Sequence, residues 1–362
     1  MKIKNKITVF SMAAVVLLFA VLCFFGEKDE YSDSERRVLA KFPEVSFETV
    51  KDGSFAKDFE EYATDAFPMR DTFRSLKAYT RLYLFWQSDN NGIFVKNGYL
   101  SKIEYPQNED MQTYATELFQ KIYDNNDLSE NKVYFSMIPD KNMFLSDLSM
   151  DYEKLEGDMA ERMPYAENIE IKDLLSKEDY YYTDTHWRQE SIVPVAERIC
   201  EKMGAQISGE YEEVKASDSF YGVYVGQSAL KTEPDDLKYL TNDVIEGYKV
   251  KIFDGTKEVY PDSAYDMSKV TSKDPYEMYL SGNQPLVTIE NPKADNEKRL
   301  VIFRDSFGSS IAPLLAEGYS ETVLVDLRYL NSDFLPMLVD FEDADVLFLY
   351  SSLILNSSMS MK

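Results

Sequence analysis

The sequence predicts an α/β fold, with a mostly parallel sheet flanked by helices. Short apolar runs at residues 133–138, 300–303, 322–327 and 346–350 alternate with segments of helical periodicity. That alternation is the pattern of parallel strands joined by helical crossovers. The 362 residues, 44% hydrophobic and 14% aromatic, are enough for two compact domains or one domain with a large insertion.

The first element is an apolar run. Lys2, Lys4 and Lys6 precede residues 7–25, nineteen positions without a charge. At ~1.5 Å per residue the run nearly spans a ~30 Å hydrocarbon core. The lysines before it and the acid-containing stretch 27–35 after it predict a cytoplasmic tail over 1–6, a transmembrane signal anchor over 7–25 and an extracytoplasmic body. The run is long for a signal-peptide core and no clear small-x-small site follows, so an uncleaved anchor is favoured over a cleaved signal peptide. Leu22 is too bulky for lipoprotein processing at Cys23.

Residues 26–90 read as a stem followed by N-terminal helices. Ser54 suits a helix cap, with Phe55, Phe59 and Tyr62 at helical spacing behind it. Pro68 suits the start of a second helix that carries Met69, Phe73, Leu76 and Tyr83 on one face. Both stripes are expected to be core. A hairpin is predicted over 93–100, turning at Asn97-Gly98. A helix through Met111, Tyr114, Leu118 and Ile122 leads to the strand 133–138, which Pro139 ends. Ile169 and Ile171 suggest a short strand, and residues 191–203 a helix stopped by Gly204. After the strand 300–303 come a helix over 309–317 and the last two strands. Residues 205–295 break the rhythm with short β-like runs such as 248–253. They are expected to be a β-rich insertion or subdomain beside a catalytic domain formed by 91–204 and 296–362. The terminal Ser and Met residues are expected to fray.

Composition excludes several function classes. The formal charge is -25, and without the first 26 residues 36 basic and 64 acidic residues remain. So acidic a body repels phosphates, so no nucleic-acid partner is expected. Cys23 lies in the apolar run and Cys200 in the body, so a disulfide between them is implausible. One Cys and one His outside the run cannot form a Cys/His zinc site, and no metal or other cofactor is expected.

The chemistry concentrates in Asp184-Thr185-His186-Trp187. His186 is the only histidine, and Asp184 stands two residues before it. In an extended segment residues i and i+2 share a face, so carboxylate and imidazole can lie side by side. That is the orienter and base of a Ser-His-Asp system. An ordinary imidazole titrates near ~6.5 and accepts a proton at neutral pH. A lone His beside Trp187 also suits a packed structural role. Ser306 follows the strand 300–303 and precedes a helix, at the carboxyl edge where open α/β sheets place ligands. Helix-start amides can face a developing oxyanion, and Gly308 permits a tight turn. Asp305 or Ser306 would equally suit a plain helix cap.

Asp-x-His-Trp and Asp-Ser-Phe in one chain look like the SGNH-hydrolase-like proteins of alginate acetylation, and most closely the bacterial DHHW family. Thr185 replaces the second His of that family's tetrapeptide. The resemblance extends to Glu35-Arg36-Arg37-Val38-Leu39, Asp65-Ala66-Phe67-Pro68-Met69-Arg70, Gly92-Ile93-Phe94-Val95, Ile138-Pro139-Asp140-Lys141, Gly282-Asn283 and Asp326-Leu327-Arg328-Tyr329, and so covers most of the body. It implies an SGNH-like, flavodoxin-like fold. It also implies a triad of Ser306 as nucleophile, His186 as base and Asp184 as orienter.

The expected activity is extracytoplasmic O-acetyl transfer to a secreted or cell-surface polysaccharide, with a membrane-bound O-acyltransferase supplying acetyl. A carbohydrate acetylesterase with the same triad and a non-catalytic glycan-binding or assembly protein are the alternatives. Oxyanion donors are sought at the Ser306 and Phe307 amides and at Gly282 and Asn283. Substrate contacts are sought at Trp187, Arg304, Arg328 and Tyr182. The arginines also suit salt bridges, and Tyr181 and Tyr182 also suit packing. Lys141 is expected near the site because it follows a strand end.

Overall fold

The computed structural model describes residues 3–26, 28–32, 34–145 and 149–362. Lys2 of the expected tail and Glu27 of the acid-containing stretch lie outside the described residues. The chain divides into two compact units, Met1–Ile93 with Val225–Thr232, and Phe94–Tyr224 with Glu233–Lys362.

The first unit begins with α1 (Ile3–Phe25), 23 residues that include an 18-residue stretch of mean hydropathy 2.7, long and apolar enough to cross a membrane. It is followed by α2 (Ser54–Asp65) and α3 (Arg70–Tyr79). Ser54 is the first residue of α2 and caps nothing; Gly53, at φ 85°, precedes it. The serine that caps is Ser46, on the short helix Phe47–Asp52. Pro68 lies in the turn two residues before α3. Phe19 of α1 stacks on Phe67 at 5.2 Å and meets the edge of Phe73 at 6.0 Å. Buried Asp65 receives Arg37 Nη1 at 2.8 Å and the Ala40 amide at 2.9 Å, while Arg70 and Arg74 both reach Glu35. Two segments of the family resemblance, 35–39 and 65–70, therefore hold each other. The α3 stripe departs from expectation. Met69, Phe73, Leu76 and Tyr83 are all exposed rather than core.

The second unit is built on one eight-stranded sheet. In chain order its strands are β1 (Val133–Ile138), β2 (Glu167–Asn168), β3 (Lys249–Phe253), β4 (Glu258–Val259), β5 (Leu286–Glu290), β6 (Arg299–Arg304), β7 (Glu321–Val325) and β8 (Ala344–Ser351). Across the sheet they run β4-β3-β5-β7-β6-β8-β1-β2. The five from β7 to β2 are parallel, and β4, β3 and β5 extend them antiparallel. Phe303 of β6 sits opposite Phe348 of β8, which sits opposite Phe135 of β1. Central parallel strands are buried on both faces, which is why β1, β6 and β8 read as continuous apolar runs. One face packs on α4 (Glu109–Asn125) through Phe119, Phe135, Phe303 and Phe348. The other packs on α5 (Val193–Lys202) and α6 (Gly308–Leu315) through Ile199, Ile311, Ile302 and Leu347.

Residues 205–295 do not form one separate body. Three of their strands, β3 to β5, continue the main sheet because Val250, Ile252, Val287 and Ile289 are buried in its core. Glu212–Phe220 and Asp235–Thr241 pair as an independent hairpin. The C-terminus is not frayed. Met361 is buried, Ser358 Oγ donates to the Met111 carbonyl, and the Lys362 amide donates to Leu327 O at 2.9 Å.

Parallel register brings the carboxyl ends of β1, β6, β7 and β8 to one edge. Asp140-Lys141, Asp305-Ser306, Asp326 and Ser351 all stand there.

Candidate active site

The Asp184-His186 segment is a bend and not the straight strand that the i, i+2 argument assumed. An antiparallel bridge between Tyr180 and Trp187 closes it, with the Tyr181 amide donating to His186 O at 3.1 Å. Inside the bend Asp184 Oδ1 accepts the His186 amide at 3.1 Å, the local turn that an aspartate makes two residues ahead. The same oxygen faces His186 Nδ1 at 2.5 Å. Asp184 Oδ2 accepts the Val223 amide at 2.8 Å. Close approach makes a glycine necessary beside it, since a Cβ on Gly222 would lie 2.3 Å from Asp184 Cβ.

Two buried charged side chains, Lys141 and Asp235, anchor the bend. Lys141 Nζ donates to the carbonyls of Tyr181 and Asp184 at 2.8 and 2.5 Å. Burial pushes the Lys141 ammonium down to about 8 and the adjoining Asp140 carboxyl up to about 6. Asp235 accepts the Tyr182 and Thr183 amides at 2.9 and 2.8 Å and pairs with Arg188 at 3.1 Å.

Ser306 stands in the turn between β6 and α6, half-buried. Its Oγ lies 2.8 Å from His186 Nε2. With Nδ1–H donating to Asp184, Nε2 is left to accept the Ser306 proton; this tautomer follows from the bonding network. Tyr276 stacks on the imidazole at 3.8 Å and 7° and donates to Ser310 Oγ at 2.9 Å. Asp305 fastens the serine turn. One oxygen accepts the Phe307 amide at 3.0 Å, and the other takes the Ser351 amide and hydroxyl at 2.8 and 2.6 Å. Gly308 serves close packing rather than a left-handed turn, because a Cβ there would lie 2.7 Å from Arg304 Cβ.

The structure brings Ser306, His186 and Asp184 into one hydrogen-bonded chain, and it distributes the other candidates differently. The Phe307 amide is committed to Asp305, and the Gly282 amide to Tyr279 O at 3.0 Å. Asn283 is exposed, and its Oδ1 accepts Arg328 Nη2 at 3.3 Å. Arg328 also pairs with Asp326 at 2.6 Å. Trp187 is wholly buried, donating to Phe307 O at 3.2 Å and Ser310 Oγ at 2.9 Å, so it props the serine turn and presents no face to a ligand. Arg304 is likewise buried, held by Ser309 Oγ at 3.0 Å. Tyr181 is core, whereas Tyr182 is 43% exposed and stacks on Tyr99 at 4.2 Å. Sequence reasoning missed Gly222, Val223, Asp235 and Tyr276. Only Gly222 carried a signal, as a glycine in a β-like run. No group of three or more His, Cys, Asp or Glu among the described residues is placed to hold a metal ion.

Solved structures share this architecture. A DHHW family protein from Eubacterium siraeum matches with a TM-score of 0.60 at 18% identity, over 74% of this chain and 93% of that one. The chain has the DHHW-protein fold. Bacillus cereus PatB1, solved with a sulfonyl adduct, matches the same fold with a TM-score of 0.60 at 19% identity, over 73% of this chain and 95% of that one. No protein-family model and no curated protein matches the sequence.

Proposed function

We propose that the protein is an extracytoplasmic O-acetyltransferase that acetylates a secreted or cell-surface polysaccharide through an acyl-serine intermediate. The observation that carries the proposal is the chain Ser306 Oγ–His186 Nε2 at 2.8 Å and His186 Nδ1–Asp184 Oδ1 at 2.5 Å. A hydroxyl is a weak nucleophile until a positioned base takes its proton. His186 Nε2 takes the Ser306 proton as Oγ attacks the acetyl carbonyl carbon of the donor ester. The tetrahedral oxyanion faces the Ser306 amide, which has no acceptor among the described residues. Collapse breaks the bond to the donor alcohol, and that alcohol leaves with the proton from His186. A sugar hydroxyl then attacks acetyl-Ser306, giving its proton to Nε2, and the acetyl sugar departs as Ser306 is reprotonated. Asp184 fixes the tautomer throughout and balances the imidazolium charge.

Transfer to a polysaccharide is supported by the motif resemblance and by the apolar α1, which suits a membrane anchor beside an acyl-supplying O-acyltransferase. Incubation with a small acetyl ester, followed by peptide mass spectrometry, is expected to find acetyl on Ser306. A sulfonyl fluoride is expected to label the same peptide. Label confined to other residues would remove the mechanism. Adding oligosaccharides separates the outcomes further, since acetyl sugar marks transfer and free acetate alone marks an esterase.

A further inference from the structure

We infer that the aromatic stripe of α3 lies in the lipid interface of the membrane, so that the N-terminal unit grips the bilayer surface as well as spanning it. The stripe comprises Met69, Leu76, Tyr79, Tyr83, Phe85 and Trp86, exposed by between 40% and 85%. Leu76, Tyr79 and Tyr83 follow one another at three and four residues along α3 and the π-helical turn Thr80–Leu84 that continues it, with Met69 directly before the helix and Phe85 and Trp86 directly after it. A soluble surface rarely leaves so continuous an apolar patch uncovered.

What covers it is indicated by its continuity with α1. Phe73, three residues before Leu76 on α3, touches Phe19 of α1, as does Phe67. Phe19 lies six residues before the end of α1, or about 9 Å along the helix axis. Interfacial helices bury their apolar face to about the same depth, roughly 5–10 Å. If α1 spans the bilayer, the start of α3 is therefore already at the level of the upper acyl chains. Tyr and Trp, which make up half of the stripe, are also the residues that favour the headgroup boundary. The occupant inferred is the lipid surface, not a second protein.

This inference rests on the membrane-anchor reading of α1, and one experiment separates the two. The full chain is reconstituted in phosphatidylcholine vesicles, with and without lipids brominated in the upper acyl chain. The protein has two tryptophans, and Trp187 is wholly buried, so Trp86 is the one able to report a surface. The expected result is that the chain floats with vesicles, that Trp86 emission shifts to the blue and is quenched by bromolipid, and that aqueous acrylamide leaves it unquenched. Trp86→Phe should abolish the bromolipid-sensitive component and leave the buried signal in place. A chain that does not float would overturn the anchor itself. A chain that floats with Trp86 open to acrylamide and blind to bromolipid would overturn the interfacial stripe alone. A photo-crosslinker at Leu76 that captures a membrane protein and no lipid would also overturn it.

Discussion

At the scale of single residues, the site stands on hydrogen bonds that leave little freedom. Ser306→Ala removes the nucleophile and is expected to lower turnover by at least ~10⁴-fold while melting temperature stays close to that of the unaltered chain. Asp184→Asn should cost a similar ~10⁴-fold, because its single amide oxygen cannot serve both the Val223 amide and His186, and with that oxygen on Val223 the NH2 faces Nδ1 and selects the wrong tautomer. Steady-state rates with an acetyl ester check both, and wild-type rates in either variant would refute the relay. Gly222→Ala is a sharper test. A methyl group 2.3 Å from Asp184 Cβ must push the bend aside, so activity should fall although residue 222 carries no reactive group. A fully active Gly222→Ala enzyme would show that the bend tolerates displacement.

At the scale of elements, buried Lys141 ties the end of β1 to the catalytic bend. Its folded pKa of about 8 lies below the ordinary lysine value of 10.5, so between those values the unfolded chain binds more protons than the folded one. Stability contributed by this group therefore rises with pH from about 8 to 10.5. Urea titrations at stepped pH should show that slope, and Lys141→Met should flatten it and slow catalysis by loosening the carbonyls of Tyr181 and Asp184. The C-terminal segment makes a second test at this scale. Deleting residues 358–362 removes buried Met361 and the Ser358 and Lys362 bonds, and should lower the melting temperature by several degrees. An unchanged melting curve would count against the packed tail.

Elements were more legible in the sequence than their surroundings. The run 133–138 coincides with β1, because a doubly buried parallel strand is apolar at every position. The stretch 205–295 was harder to read. Whether β3 and β5 join the main sheet is decided by pairing over long sequence distances, which no local pattern contains. The α3 stripe was read as core because periodicity shows that a face is apolar but not what covers it. At the site, the pairing of Asp184 with His186 was foreseen on the wrong backbone, a strand in place of a bend. Trp187 looked like a ligand contact because an aromatic beside a catalytic residue is equally consistent with both roles until its burial is known.

At the scale of the whole molecule, charge sets the long-range behaviour. A net charge of -25 repels anionic acceptors and anionic lipid headgroups alike. Added salt shortens the reach of that field, to about 8 Å at physiological ionic strength. With an anionic glycan, kcat/KM should therefore rise as salt is added, whereas with a neutral glycan it should hardly change. Equal salt responses from the two acceptors would show that the field does not reach the site.

The relay draws on widely separated parts of the polypeptide. Asp184 leans on Val223, the imidazole on Tyr276, and the serine turn on Ser351 through Asp305. A nascent chain still on the ribosome therefore carries its hydroxyl and its imidazole without the fastening that aligns them. On the proposed mechanism the fastening of the serine turn waits for β8, which carries Ser351 and is made well after the imidazole.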